Sequence, residues 1–136
     1  MRMLAIDIGG RRTGFAVGDV ELGLAQPVGV IEHANEAELM DAVAGMVEAH
    51  RPEALLVGLP LNMDDSEGPA ARRMRETAVR IGERSGLPVH LQDERLTSFE
   101  ADSRMARSGR THAGKKRIRD AIAAAALLED YFASRR

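Results

Sequence analysis

The sequence contains no cysteine and no tryptophan, and it has only three phenylalanines and one tyrosine. The absence of cysteine excludes disulfide bonds and thiolate zinc sites, and it fits a reducing compartment such as the cytoplasm. No apolar run approaches the roughly 20 residues that a membrane-spanning helix needs. The short apolar run near the N-terminus is interrupted by Asp7, and no signal-peptide cleavage site follows it. We therefore expect a soluble, cytoplasmic protein that does not interact with a membrane.

The order of apolar runs and turn residues predicts one α/β domain with a mixed sheet over residues 1–136, a length that suffices for one core and not for two. Three strands joined by Gly-rich connections come first, and helices and strands then alternate. Ala54–Leu59 is a continuous apolar run ended by Pro60, which is typical of a strand buried on both faces. The other predicted strands are Leu4–Ile8, Gly14–Val20, Gln26–Glu32 and Leu87–Gln92, and the predicted helices are Glu36–His50, Ala70–Arg84, one from Thr97 to near Gly109, and Lys115–Phe132.

One aspartate stands in the middle of the first predicted strand. Asp7 lies in the segment LAIDIGGRRTGFAVGD, which is otherwise apolar up to the turn at Gly9 and Gly10. A carboxylate in such a strand is costly to desolvate unless a cation or hydrogen-bond donors meet it. The position therefore predicts a chemical role for Asp7.

Acidic residues also occur at two later points where they could approach Asp7. Asp93 and Glu94 end the last predicted strand, and only one of them can face a site because side chains alternate along a strand. Asp120 heads an apolar stripe of the last helix, and the small residues Ala123–Ala126 would let that helix lie close to the sheet. Asp120 has an alternative interpretation as an acid that complements the helix dipole.

Three carboxylates that converge from these elements would form a site rich in hard oxygen ligands. Such sites suit Mg²⁺ or Mn²⁺, and the like charges would repel each other without cations between them. Two ions about 4 Å apart can activate a water and stabilise the leaving oxygen of a phosphodiester. The predicted chemistry is metal-dependent phosphodiester hydrolysis.

Charge is segregated along the chain, although the formal net charge is only -2. The segment Ser103–Arg119 contains seven basic residues and His112 but no acid, so it would suit a polyanion better than the net charge suggests. A solvated basic face is the alternative. Because aromatic residues are scarce, contacts with phosphates and shape are favoured over base stacking.

Four segments together resemble a known family. LAIDIGGRRTGFAVGD, LLVGLPLNMDDSEGP, LPVHLQDERLTS and KKRIRDAIAAAALLEDYF are similar, in order and spacing, to the YqgF/RuvX type of Holliday-junction-resolvase-like protein, a family also described as pre-16S rRNA nucleases. The resemblance spans nearly the whole chain. It implies a ribonuclease-H-like fold, with a five-stranded mixed sheet flanked by helices.

The resemblance also implies which residues act. Asp7, Glu94 and Asp120 would be the catalytic and metal-binding acids, with Asp93 in reserve. Residues that could contact nucleic acid are Arg11, Arg12, Asn62, Arg95, Lys115, Lys116 and Arg117. Structural alternatives remain for several of these: loop organisation for Asn62, solvation for the two turn arginines, and a salt bridge for Arg95.

The acids do not distinguish two substrates, precursor 16S rRNA and branched DNA. Processing of the 5′ end of precursor 16S rRNA implies contact with the ribosomal small subunit. Cleavage of branched DNA implies a resolvase that is a two-fold homodimer. A third hypothesis is a non-catalytic ribosome-assembly factor. The segment from Asp7 to Thr13 also resembles the first phosphate-binding strand of sugar kinases and actin-like proteins, but those proteins need two such domains.

Overall fold

The computed structural model describes residues 1–62, 64, 66–94 and 112–135, with side chains described throughout these ranges except at 112–117. Its strands are β1 (Arg2–Ile8), β2 (Arg12–Asp19), β3 (Leu24–Glu32), β4 (Ala54–Leu59) and β5 (Val89–Asp93). Its helices are α1 (Glu36–His50), α2 (Pro69–Ser85) and α3 (His112–Ser134). The helix predicted from Thr97 to near Gly109 lies outside the described residues.

The five strands form one mixed sheet in the order β3-β2-β1-β4-β5. β1 pairs antiparallel with β2, and β2 with β3, whereas β1, β4 and β5 run parallel to one another. The predicted antiparallel meander followed by parallel strands is thus confirmed. β4 lies between β1 and β5 and is buried along its whole length, as its unbroken apolar sequence predicts.

The two faces of the sheet carry side chains of different size. Leu4, Ile6 and Phe15 belong to a core with the aliphatic residues of α1 and α2. On the opposite face Ala5 and Ala16 belong to a core with α3. Because successive side chains of a strand point to opposite faces, one alternating sequence supplies both cores.

Helix α3 fits this second face because its packing side is made of small residues. Its run 121–126 is buried and consists of alanine except at position 122, and Leu127 and Leu128 continue the buried stretch. Farther along, Tyr131 contacts the ring of His90 on β5, with ring centroids 5.6 Å apart. α3 begins three residues before the predicted Lys115, so the basic run 115–117 is not confined to its first turn.

Local signals explain where α1 and α2 begin and end. The side chain of Asn35 accepts from the Glu38 N–H, which satisfies a free donor of the first turn of α1, and the Glu38 side chain accepts from the Ala34 N–H just before the helix. α2 begins at Pro69 and ends before Gly86, whose φ of 72° suits a residue without a Cβ. Among the described residues no helix is both long and apolar enough to cross a membrane.

Candidate active site

The three parallel strands end at one edge of the sheet, and the candidate acids gather there. Asp7 is the penultimate residue of β1, and Glu94 directly follows β5. The Glu94 N–H donates to the Leu59 carbonyl at the end of β4, at 3.3 Å, so the chain is still partly held beside β4 at this point. Ligands commonly bind at the carboxyl ends of parallel strands.

Strand alternation determines which of the two neighbouring acids turns toward Asp7. Asp7 continues the α3-facing positions 3 and 5 of β1, and Glu94 continues the α3-facing position of His90 on β5. Asp93 instead follows Leu91, which packs with the α1 and α2 core. The structure accordingly brings Glu94, and not Asp93, into contact with Asp7.

Two glycines provide the space that this arrangement needs. A Cβ on Gly58 of β4 would collide with the Glu94 carboxylate, and a Cβ on Gly14 of β2 would collide with the backbone carbonyl of Asp120. Gly14 is also the direct cross-strand partner of Asp7. The missing side chain at Gly14 therefore lets α3 approach the sheet at the position where Asp7 stands.

Asp7 and Glu94 form a hydrogen-bonded carboxyl pair. Burial, followed by the charge of Glu94, its hydrogen bond and the charge of Asp120, raises the pKa of Asp7 to about 8, although Arg119 acts in the opposite direction. Burial also raises the pKa of Glu94, while the hydrogen bond from Asp7 opposes that rise. These two pKa shifts correspond to a protonated Asp7 carboxyl group that donates a hydrogen bond to the Glu94 carboxylate. The pair is therefore costly to ionise when no cation lies beside it.

The third acid is engaged elsewhere. Arg12 Nε lies 3.2 Å from a carboxylate oxygen of Asp120. Asp120 still raises the pKa of Asp7 through its charge, so the three acids share one electrostatic environment. Within the described residues, no group of three or more His, Asp or Glu side chains is arranged to hold one metal ion. The donor types fit Mg²⁺ or Mn²⁺, and a three-acid site would require Asp120 to come closer to Asp7 and Glu94.

An open cavity of about 830 Å³ adjoins Asp120. Asp120 and Arg12 form one part of its wall, and the Gly9-Gly10 turn, the end of β3 and the beginning of α1 form the rest. The full set of lining residues is Gly9, Gly10, Arg11, Arg12, Glu32, His33, Ala34, Glu38 and Asp120.

One residue of this wall was missed at the sequence level. His33 is buried, and its Nε2 lies 2.7 Å from Oγ1 of the fully buried Thr13. The His33 N–H also donates to the Arg11 carbonyl at 2.9 Å. A lone histidine after a strand gives no sequence signal of such a contact, since it arises between strands.

The other predicted nucleic-acid contacts are distributed as follows. Arg11 is exposed at the cavity. Asn62 is exposed, and its backbone and side-chain N–H groups donate to Ser66 at 2.9 and 3.0 Å, while Ser66 donates to Asp64 at 2.6 Å. This geometry supports the loop-organising interpretation of Asn62. Arg95 and the side chains of Lys115, Lys116 and Arg117 lie outside what the structure describes.

The sheet order and its flanking helices define a protein of the ribonuclease-H-like fold class, as the sequence resemblance implies. A family model described as "RuvX: Holliday junction resolvase" matches residues 1–134, and the chain belongs to this family.

Similar proteins agree with that membership. A protein of Anaeromyxobacter sp. (strain K), named "Putative pre-16S rRNA nuclease", is 42% identical over 131 residues, which cover 96% of each chain. The structure of T. thermophilus RuvC in complex with a Holliday junction substrate matches with a TM-score of 0.61 at 19% identity, covering 99% of this chain and 95% of that one. The fowlpox virus resolvase bound to Holliday junction DNA also gives 0.61, at 11% identity and 98% coverage of both chains. These two structures confirm the predicted fold.

Proposed function

We propose that this protein is a divalent-metal-dependent nuclease that hydrolyses phosphodiester bonds during 5′-end processing of precursor 16S rRNA. The observation that carries the proposal is the Asp7–Glu94 pair, two carboxyl groups held together at the edge where the parallel strands end. A pair of this kind is costly to ionise in the free protein, and a divalent cation removes that cost.

The metal would be held by Asp7, Glu94 and Asp120. Bound Mg²⁺ or Mn²⁺, in a site of two ions, would supply an activated water and stabilisation of the leaving oxygen. Asp7 would give up the proton that it shares with Glu94, and both carboxylates would then act as ligands. Asp120 would join them from α3, which Gly14 allows to lie close to the sheet.

Contacts with the nucleic acid would come from residues around this site. Arg11 and Arg12 lie at the cavity beside Asp120, where phosphates of a bound strand could meet them. Lys115, Lys116, Arg117 and Arg95 would add basic contacts, and Asn62 would shape the loop before α2. Such backbone contacts give affinity that falls with added salt.

Two observations support different substrates. The 42% identity to a relative named for pre-16S rRNA favours precursor rRNA, which would bring the protein to the ribosomal small subunit in the cytoplasm. The family description favours branched DNA, which would be cut by a homodimer with paired sites. We prefer precursor rRNA because the higher sequence identity belongs to the relative with that name. Residues 1–136 would act as one nuclease domain in either case.

The test compares the purified protein with its Asp7→Asn variant on labelled precursor small-subunit RNA and on a four-way DNA junction. Each reaction contains Mg²⁺, Mn²⁺ or EDTA. Asp41→Asn is the matched control, because Asp41 is exposed on α1 and pairs with Arg84 away from the acids. We expect cleavage that needs metal, persists in the control and disappears in Asp7→Asn.

The substrate cut at the lower enzyme concentration identifies the biological role. Preference for the junction would replace the rRNA proposal with the resolvase alternative. Binding of RNA without cleavage, unchanged in Asp7→Asn, would contradict the nuclease proposal and favour a non-catalytic assembly factor.

A further inference from the structure

The acids of the free protein are divided into two separate groups. Asp7 shares a proton with Glu94, and Asp120 is paired with Arg12 at 3.2 Å. Within the part of the chain that the structure describes, no three such side chains are placed to hold one ion. A complete site therefore needs Asp120 to move closer to Asp7 and Glu94, and its ion pair with Arg12 opposes this movement.

The Arg12–Asp120 pair is accessible and can be exchanged. The side chain of Arg12 is 38% exposed and that of Asp120 is 22% exposed. Ion pairs with this much solvent contact are only weakly held. Both residues also line the open cavity of about 830 Å³, so a ligand that enters it meets the guanidinium directly.

The cavity is shaped so that an anion can come close to Arg12. The turn before Arg12 is tight, because the Gly9 N–H donates to the Arg12 carbonyl at 2.9 Å and a Cβ on Gly9 would lie 2.5 Å from that oxygen. A Cβ on Gly10 would have no atom within 4 Å, which leaves open space beside the arginine. A guanidinium binds the oxygens of a phosphate in a two-pronged geometry, as it does a carboxylate.

The backbone around Arg12 is anchored on both sides. Before it, the Arg11 carbonyl accepts from the His33 N–H at 2.9 Å. After it, Thr13 is fully buried, and its Oγ1 lies 2.7 Å from His33 Nε2. Only the side chain of Arg12 is therefore free to change partner, and it can do so without moving β2.

We propose that Arg12 is a positioning residue that exchanges partners: a phosphate of the bound nucleic acid takes its guanidinium, and Asp120 is thereby released to complete the divalent-cation site. This inference rests on the proposed nuclease function. It makes metal binding and nucleic-acid binding mutually reinforcing, because each ligand removes one partner of the same ion pair. In the free protein Arg12 competes with the cation for Asp120.

The experiment measures the affinity for Mn²⁺ from the electron paramagnetic resonance signal of the free ion. It is carried out with and without a phosphorothioate-substituted four-way DNA junction, at low temperature, and the strands are checked on a gel to be intact. The proteins are wild type, Arg12→Gln, Arg12→Lys and Arg84→Gln. Arg84→Gln is the matched control: it removes the same charge and also breaks an exposed ion pair between an arginine and an aspartate, Asp41, away from the acids.

We expect Arg12→Gln to bind Mn²⁺ about fivefold to tenfold more tightly than wild type without DNA, since Asp120 is then free. The increase in Mn²⁺ affinity that DNA causes in wild type should be mostly lost in Arg12→Gln. Arg12→Lys should keep part of it, and Arg84→Gln should retain it. Circular dichroism melting of each variant shows that the fold is intact.

Equal effects of Arg12→Gln and Arg84→Gln would overturn the inference, because long-range charge alone would then explain the result. Weaker Mn²⁺ binding by Arg12→Gln would overturn it as well. In both cases metal-dependent cleavage by wild type would leave the proposed nuclease function standing. Failure of wild type to bind Mn²⁺ and to cleave either nucleic acid would refute the proposed function and this inference together.

Discussion

The two faces of the sheet are built for different tasks. The face toward α1 and α2 packs large aliphatic side chains and Phe15 and contains no acid of the candidate site. The face toward α3 is made of alanine and glycine where it nears the edge, and Asp7 and Glu94 lie on it. Large side chains separate a helix from a sheet, whereas small ones let the backbones approach. The close face is therefore the one on which acids from different elements can meet.

The sharpest test of this comparison is the removal of one acid from the close face. Asp7→Asn preserves the size of the side chain and a donor toward Glu94, but it removes a metal ligand. We expect metal-dependent cleavage to fall about a thousandfold or more, since bound metal contributes several kcal/mol to such reactions. Single-turnover cleavage rates at saturating Mn²⁺ measure this effect. A loss of less than tenfold would contradict the role of Asp7.

A substitution at Gly14 tests whether the close approach of α3 to the sheet matters for cleavage. Gly14→Ala places a Cβ against the Asp120 backbone, so α3 must shift outward. We expect cleavage to fall about a hundredfold, because displacements near 1 Å have such effects on positioned groups, and the protein to lose about 2 kcal/mol of unfolding free energy.

Gly45→Ala in α1 is the matched control for Gly14→Ala. A Cβ at position 45 would meet nothing within 4 Å, and alanine is the better helix former. We expect this variant to keep full cleavage and to be slightly more stable than wild type. Equal losses in the two variants would show that the close approach at Gly14 has no special importance.

The pH dependence of stability tests the buried carboxyl pair on the face toward α3. In the metal-free protein Asp7 has a pKa of about 8, raised from 3.8. The contribution of the protonated Asp7 to the free energy of unfolding is fully present below about pH 4. It is lost as pH rises through 8, because Asp7 loses its proton at lower pH in the unfolded chain than in the folded protein. Relative to Asp7→Asn, wild type should lose about 2 kcal/mol or more between pH 5 and 8.5. Urea unfolding of both proteins in EDTA measures this difference, and parallel pH profiles would contradict it.

The smallest effect on the site is expected from a substitution on the face toward α1 and α2. Leu55→Ala removes a fully buried side chain from the core shared with α1 and α2. We expect a loss of about 2–5 kcal/mol of stability, while cleavage per folded molecule changes less than about threefold. Denaturant titration combined with cleavage assays well below the melting temperature checks both values. A large loss of cleavage would mean that the two faces are coupled.

Much of this architecture could be predicted from the sequence, because its signals are local. The unbroken apolar run of β4, the Gly-linked first strands and the alanine run of α3 each specify their burial directly. The choice between Asp93 and Glu94 could not be made from the residues alone, since it depends on whether the strand alternation continues through position 94. α3 begins at His112, directly after Thr111, whose residue type is common at helix N-caps, whereas the predicted start is Lys115, three residues later.

The contacts that the sequence did not reveal are those between distant elements. Arg12 and Asp120 are more than a hundred positions apart, and the pairing of Thr13 with His33 depends on the register between β2 and β3. Such contacts leave no periodic pattern in either segment. Their importance for the site emerges only when the strands and α3 are seen together.

Strand β3 lies at the edge of the sheet, and it contains Pro27 at an exposed position. A proline lacks the N–H with which an incoming strand would pair, and a register shift in β2–β3 pairing interrupts the ladder between Phe15 and Ala16. Both features blunt this edge against the addition of a strand from another molecule. The protein is thereby protected from edge-to-edge aggregation on the β3 side, and a homodimer would associate through another surface than a sheet extended at this edge.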